Sequence, residues 1–245
     1  MSGMPGLPDA IEPDWAAPAN VRGFSTTRQG GVSQGPWASF NLGASCGDDA
    51  DCVRENRARL AAALPAPPQW VSLVHGTGVV RHPGAPIPAP EGDALVAFEA
   101  GRVCALLTAD CLPVLFCDRA GSRVGVAHAG WRGLAAGILE ATVEALACDA
   151  GDLLAWLGPA IGPSVYEVGP EVVEAFAGIP NAAAPGERPD RWLLDLYACA
   201  RYRLAAVGVT EVSGGGLCTL SDPARFFSYR RDGTTGRMAT VIWMD

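Results

Sequence analysis

The chain has 245 residues, 49% of them apolar and 18% charged, and a formal net charge of −8 at pH 7. It is long enough for one large domain or two small ones around a substantial core, and too acidic for a nucleic-acid partner, whose phosphates require a basic face. All 18 basic residues are arginine; this excludes Schiff-base, pyridoxal-phosphate and Walker-type lysine chemistry and leaves arginine or backbone amides to hold any oxyanion.

No apolar run approaches the roughly 20 residues of a membrane helix. The first 15 residues lack the basic and apolar stretches of a secretory signal. The expectation is a soluble cytoplasmic protein, not a membrane partner, whose eight cysteines are reduced thiols. No Cys-x-x-Cys occurs among them, which argues against a zinc ribbon or a thioredoxin-like site; Cys104 and Cys117 fit small core residues. Oligomeric state is not written in the sequence.

In chain order, residues 1–20 contain four prolines and read as an extended lead-in. The stretches Arg28-Gln29-Gly30-Gly31, Asn41-Leu42-Gly43 and Gly47-Asp48-Asp49 read as turns. Asp51 is the expected cap of a helix running to Leu64 and stopped by Pro65. Residues 70–74 predict a strand delivering His75 into the turn His75-Gly76-Thr77-Gly78, and the proline-rich stretch 82–90 reads as irregular and superficial. Residues 103–107 and 124–127 predict two neighbouring buried strands, each running into a polar segment: Ala-Asp-Cys-Leu-Pro (109–113) and His-Ala-Gly-Trp-Arg-Gly (128–133). Pro113 is expected to break the strand pattern. A helix is expected over 134–147, a strand over 153–157 leading into a rigid Gly-Pro loop (158–163), helices over 171–176 and 194–207, and strands over 210–213 and 238–243. Strands and helices mix without strict alternation, which predicts an α+β fold with mixed sheets, a single domain over residues 21–245.

Three histidines occur: His75, His82 and His128. His82 precedes a proline and reads as a surface residue. His75 and His128 lie with Cys111 at predicted strand ends, where side chains enter a crevice. Such a set makes either a nucleophile–base pair or a site for zinc or copper, in which three protein ligands leave the fourth position to water. Arg132, between two glycines at a helix start, reads as an anion contact. Asp110 reads as a turn former, an orienter of a ligand histidine or a proton carrier, and Glu167 as a second proton-carrier candidate. Residues 226–232 combine aromatics with paired arginines and read as an amphipathic strand edge or as a wall for stacking an aromatic base.

The chain closely resembles the YfiH family of laccase-domain proteins, also called multicopper polyphenol oxidases. The resemblance rests on Thr26-Thr27-Arg28-Gln29-Gly30-Gly31-Val32-Ser33, Asn41-Leu42-Gly43, Gly47-Asp48-Asp49, Val74-His75-Gly76, the segments 108–113, 128–133 and 158–163, Tyr166-Glu167-Val168-Gly169 and Phe227-Ser228-Tyr229-Arg230-Arg231-Asp232. It implies mixed sheets layered with outer helices and a zinc or copper ion on His75, Cys111 and His128. It also implies phosphorolysis of adenosine, inosine and methylthioadenosine and deamination of adenosine, so purine nucleosides and phosphate are the expected partners. Asp110, Cys111 and His128 are then the expected catalytic groups, and Arg28, Asn41 and Arg132 the expected substrate and phosphate contacts. Other roles attached to the family are copper-dependent phenol oxidation and the editing of peptidoglycan precursors, the latter suiting a Cys111–His128 hydrolase. Three histidines are too few for the multicopper relay of a true laccase. Two positions depart from the family pattern: Leu73 stands where a glutamine is common, and Ser45 where a histidine precedes Gly-Asp-Asp.

Overall fold

The computed structural model describes residues 7, 9–85 and 87–245. In chain order the elements are β1 (Val21–Ser25), α1 (Ala50–Ala62), β2 (Val79–Arg81), β3 (Ala94–Ala97), β4 (Cys104–Thr108), β5 (Leu112–Asp118), β6 (Val124–Ala129), α2 (Trp131–Ala136) and α3 (Ile138–Leu146). They continue with β7 (Leu153–Leu157), β8 (Glu167–Val168), α4 (Pro170–Glu174), β9 (Ala183–Pro185), β10 (Trp192–Leu194), α5 (Leu196–Ala206), β11 (Glu211–Gly214), α6 (Tyr229–Asp232) and β12 (Met238–Met244). No helix among the described residues is long and apolar enough to cross a membrane.

A six-stranded mixed sheet, ordered β11-β7-β5-β6-β3-β2, faces a three-stranded antiparallel sheet ordered β1-β12-β4; a small third sheet is β8-β10-β9. Strand periodicity explains the layering. In β5, Leu112, Val114 and Phe116 point to one side, where they pack with Leu139 and Leu146 of α3 and Leu204 of α5. The alternate residues Leu115 and Cys117 point to the other side and meet Leu106 of β4 and Ile242 of β12. Successive side chains of a strand face opposite ways, so a strand covered on both faces reads as a continuous apolar run. The same alternation in β12 sends Val241 and Trp243 outward, onto Leu60 of α1 and onto Phe40 and Leu42. Mixed sheets between outer helices are what the sequence predicts.

Several boundaries differ from expectation. Residues 70–74 are not a strand: Gln69 and Ser72 make only isolated bridges, to Cys104 and Glu91. The strand beside β6 is β5, which starts after Cys111, whereas β4 belongs to the opposite sheet. Pro113 does not break β5; it lies second in the strand, in register with His128, near the strand end where a missing donor is tolerated. The expected helix over 134–147 starts earlier and is split at Gly137, whose φ of 102° requires glycine. Its N–H caps the end of α2 on Gly133 and Leu134 carbonyls. Asp49, not Asp51, caps α1 by accepting from two backbone amides. The lead-in is anchored as well as extended: Leu7 is buried, and Ile11 exchanges two backbone hydrogen bonds with Ser25. Strands β2 and β3 were not foreseen, because three or four apolar residues carry too little pattern.

One buried side chain ties several points of the long turn region between β1 and α1 to the helix. Asn56 of α1 is fully buried; its amide nitrogen reaches Ser33 Oγ and the carbonyls of Ser39 and Asn41, and its oxygen accepts from Val32 N–H at 3.0 Å. Replacing Asn56 with Ala strands several of these groups in the interior, so urea unfolding should show a loss of about 3 kcal/mol.

Candidate metal centre

Two of the three candidate ligands come from adjacent strands. Cys111 immediately precedes β5, and His128 is the penultimate residue of β6, which pairs Leu112 with Ala129 and Pro113 with His128. His75 arrives from a distant loop in a left-handed conformation, φ 60°, a costly state for a non-glycine residue. A buried carboxylate holds it there. Asp93, fully buried and just before β3, accepts from the backbone N–H groups of His75 at 2.9 Å and Gly76 at 2.7 Å. The same carboxylate accepts from His128 Nδ1 at 2.9 Å, and the Asp93 carbonyl accepts from His128 N–H at 2.7 Å. With Nδ1 committed, Nε2 is the nitrogen that His128 offers to the site. Donor atoms of His75, Cys111 and His128 all lie within 4.8 Å of one another, and the two imidazoles meet edge to face at 4.8 Å.

The charges follow from this packing. Burial pushes the thiol of Cys104 up to about 12, and burial with a nearby carboxylate, Asp118 or Asp195, does the same for Cys117 and Cys199. The Cys111 thiol is desolvated too, but hydrogen bonds and charge from His128 and then His75 overcome that cost and bring it down to about 6. For His128 burial disfavours the imidazolium, yet the bonds to Asp93 and Cys111 prevail and raise it to about 9. The Asp93 carboxyl is likewise held below its ordinary range by His128, Gly76 and His75 against the cost of burial. Together the two shifts favour thiolate on Cys111 and imidazolium on His128.

Two imidazoles and one thiolate are a donor set suited to zinc or copper. The backbone around them leaves a matching hollow. A Cβ placed on Gly130 would lie 3.1 Å from Cys111 Sγ, 3.2 Å from His75 Cδ2 and 3.3 Å from His128 Cε1, so glycine here keeps the space beside all three side chains open.

Three cavities surround the centre. A cleft of about 130 Å³ reaches Cys111 between Trp131, Tyr166 and Tyr229, with Asp110 and Arg230 in its wall. A cavity of about 410 Å³ shares Trp131, Tyr166 and Arg230 with that cleft and adds Arg132, Arg188 and Arg191. The third, about 650 Å³, opens on His75 and is lined by Trp70, Leu73, Leu107, Arg57 and Arg237, with Ser45 also in its wall.

The remaining sequence candidates separate. Arg132 is exposed and lies 4.3 Å over the Trp131 ring, in the arginine-lined cavity. Asp110 is buried next to Cys111 but does not touch a ligand histidine; that orienting role falls to Asp93. Arg28 is engaged elsewhere, donating to the carbonyls of Ala38 and Pro223 and stacking on Phe227. Asn41 is fully buried and spends its amide on Gly43, Asp48 and Arg237 N–H. Neither lines the three cavities described. Glu167 pairs with Arg188, which holds its carboxyl below the usual range. Residues 226–232 are not a strand edge: Phe226 and Phe227 are fully buried, Ser228 caps the short α6, and Tyr229 alone supplies the exposed ring. His82 is half-buried and accepts from Gly84 N–H, so it is less superficial than its sequence context suggests.

Residues 22–245 match the family model described as multi-copper polyphenol oxidoreductase laccase. The chain belongs to this family, whose members include the YfiH proteins. A purine nucleoside phosphorylase of Pseudomonas aeruginosa is 53% identical over 238 residues, 96% of this chain and 98% of the relative. Purine nucleoside phosphorylase YfiH of Escherichia coli is 52% identical with the same coverage. Among solved structures, Neisseria meningitidis protein NMB0706 superposes with a TM-score of 0.91 at 46% identity, over 97% of this chain and 99% of that one. YlmD of Geobacillus stearothermophilus gives 0.82 at 36% identity, over 92% of each chain.

Leu73 and Ser45, the two positions expected from the resemblance to be departures, fall in one place, the wall of the cavity opening on His75. Asp93 was missed by sequence reasoning. The available signal was an acid directly before the apolar run Ala94-Leu95-Val96-Ala97, which reads equally well as a turn.

Loss of the Asp93 carboxylate should loosen two ligands at once. Asp93→Asn is expected to weaken zinc binding by about 10–100-fold in competition against a chromogenic chelator. Gly130→Ala should also weaken zinc in the same assay while its unfolding midpoint stays close to wild type, since the added methyl displaces ligands rather than core.

Proposed function

We propose that this protein is a metal-dependent purine nucleoside enzyme. It would cleave adenosine, inosine and methylthioadenosine with phosphate to the base and (methylthio)ribose 1-phosphate, and deaminate adenosine. The observation that carries the reading is the convergence of His75, Cys111 and His128 at an aromatic cleft beside an arginine-lined cavity. Relatives named purine nucleoside phosphorylase, 53% and 52% identical over nearly the whole chain, support it.

A zinc or copper ion on His75, Cys111 and His128 would supply Lewis acidity at the floor of the cleft. The rest is work for the chain's own groups. Trp131, Tyr166 and Tyr229 present flat apolar surface to a purine ring and exclude water from it. Arg132, stacked on Trp131, meets an anion arriving from the neighbouring cavity. Asp93 fixes the orientation of His128 and the backbone of His75, so the ligands need no rearrangement when substrate binds.

Two other chemistries are weaker. Four-electron phenol oxidation needs several coupled coppers, and among the described residues one His/Cys/Asp/Glu set for an ion is present. A cysteine hydrolase is favoured by one observation, the Cys111 thiol near 6 beside His128, and would suit an amide in a peptidoglycan precursor.

Purified protein incubated with adenosine should form adenine and ribose 1-phosphate only when phosphate is added, and inosine with or without it, as resolved by chromatography. His75→Ala, Cys111→Ala and His128→Ala should each lose at least about 100-fold of both activities. Activity that survives chelation but not thiol alkylation would overturn the metal reading in favour of the hydrolase.

A further inference from the structure

We propose that Arg230, acting with Arg132, is the phosphate-binding residue of this site, and that Asp110 positions Arg230 rather than carrying protons. The inference rests on the phosphorolytic reading above and names the group that holds its second substrate.

Arg230 stands at the junction of the cleft that reaches Cys111 and the cavity of about 410 Å³, lining both. Trp131 and Tyr166 are shared in the same way, so an anion in the larger cavity lies next to whatever fills the cleft. Four guanidiniums line that cavity, from Arg132, Arg188, Arg191 and Arg230, against the carboxylates of Glu167 and Glu171. Two of the four are already matched: Arg188 is paired with Glu167, and Arg191 lies 3.9 Å from Asp190. Arg132 and Arg230 have no carboxylate partner among the described residues. Arg132 rests on Trp131, and Arg230 lies 5.1 Å from the Tyr166 ring centre while donating to the Glu167 carbonyl at 2.6 Å. Both guanidiniums are thus oriented by aromatic faces without being neutralised, the condition for binding a dianion through paired N–H donors.

Asp110 sets where Arg230 stands. Its carboxylate is buried, and each oxygen is engaged: Oδ1 accepts from Thr219 Oγ1 at 2.6 Å, and Oδ2 accepts from Arg230 N–H at 2.7 Å. Asp110 is itself left-handed, φ 92°, a strain retained where surrounding structure enforces it. The residue next to Cys111 therefore ties the metal-site loop to the start of α6, and through it to Tyr229 and Arg230. A phosphate oxygen bonds to ribose C1′ as the C1′–N9 bond breaks; that electron pair leaves with the purine, and the proton of hydrogen phosphate ends on the base.

The test uses full-length protein with its metal and inorganic phosphate as the probe, read by calorimetric titration and by steady-state KM. Arg230→Met should weaken phosphate by about 10-fold or more in both readouts, with nucleoside KM within about two-fold of wild type; Arg230→Lys should recover part of the loss. Asp110→Asn removes one acceptor and should shift phosphate in the same direction, leaving the pH profile of kcat in place. Unchanged phosphate affinity in Arg230→Met, or a wild type that binds no phosphate, overturns the anion assignment. A lost limb of the pH profile in Asp110→Asn with phosphate affinity intact overturns the positioning role. Phosphate bound through Arg230 with no ribose 1-phosphate formed would sink the phosphorylase reading while leaving the anion site standing.

Discussion

One buried carboxylate holds the candidate site together. Cys111 and His128 are brought close by strand pairing alone, since β5 and β6 are in register at that end of the sheet. His75 has no such scaffold: it lies on an irregular loop in an unfavourable backbone conformation. Asp93 supplies the missing constraint, because Ala94, the residue after it, pairs with Ala127, the residue before His128. The side chain at 93 thus sits beside both histidines and bonds the backbone of one and the ring of the other. A carboxylate taken fully out of water is unfavourable unless its oxygens are satisfied, and here amides and an imidazole satisfy it. The group that orients the ligands is also the one whose burial requires them.

That constraint explains why neighbouring thiols behave so differently. Cys117 lies within β5 and Cys111 just before it, yet one thiol is pushed up and the other brought down. Desolvation acts on both. Only Cys111 faces two imidazoles, one of them kept cationic by Asp93. A thiol whose ionised form is favoured in this way opposes metal binding less through proton release at the sulfur.

Much of this was legible in the sequence, and the losses have physical reasons. The apolar runs beside the Cys111 and His128 segments announced buried strands, and the three residues singled out from distant parts of the chain do converge, their donor atoms within 4.8 Å of one another, although His75 arrives on a loop rather than at a strand end. Residue 113 misled because proline is a breaker in a central strand but tolerable near a strand's start. The helix through residue 137 looked continuous because a single glycine inside an apolar periodicity seldom ends one. Arg28 and Asn41, offered as substrate contacts, make loop-closing contacts in this fold, with Phe227 and Arg237. Asp93 escaped notice because it acts on His128 through a contact 35 residues distant in the chain, which local pattern does not register.

The position of β12 has a consequence for how the molecule comes into being. It is the middle strand of its sheet, bonded on one side to β1 and on the other to β4, and β1 pairs with it across more than 200 residues, Val21 with Met244. During synthesis the first strand must therefore wait, its apolar edge uncovered, until nearly every other element has left the ribosome. Pairings this distant in sequence also close slowly. The aromatic and arginine side chains of α6 lie only a few residues ahead of that last strand, so the cleft acquires its wall at about the moment the sheet locks. A nascent chain would carry the Cys111 thiol and both histidines for some time before the pocket exists to shield them.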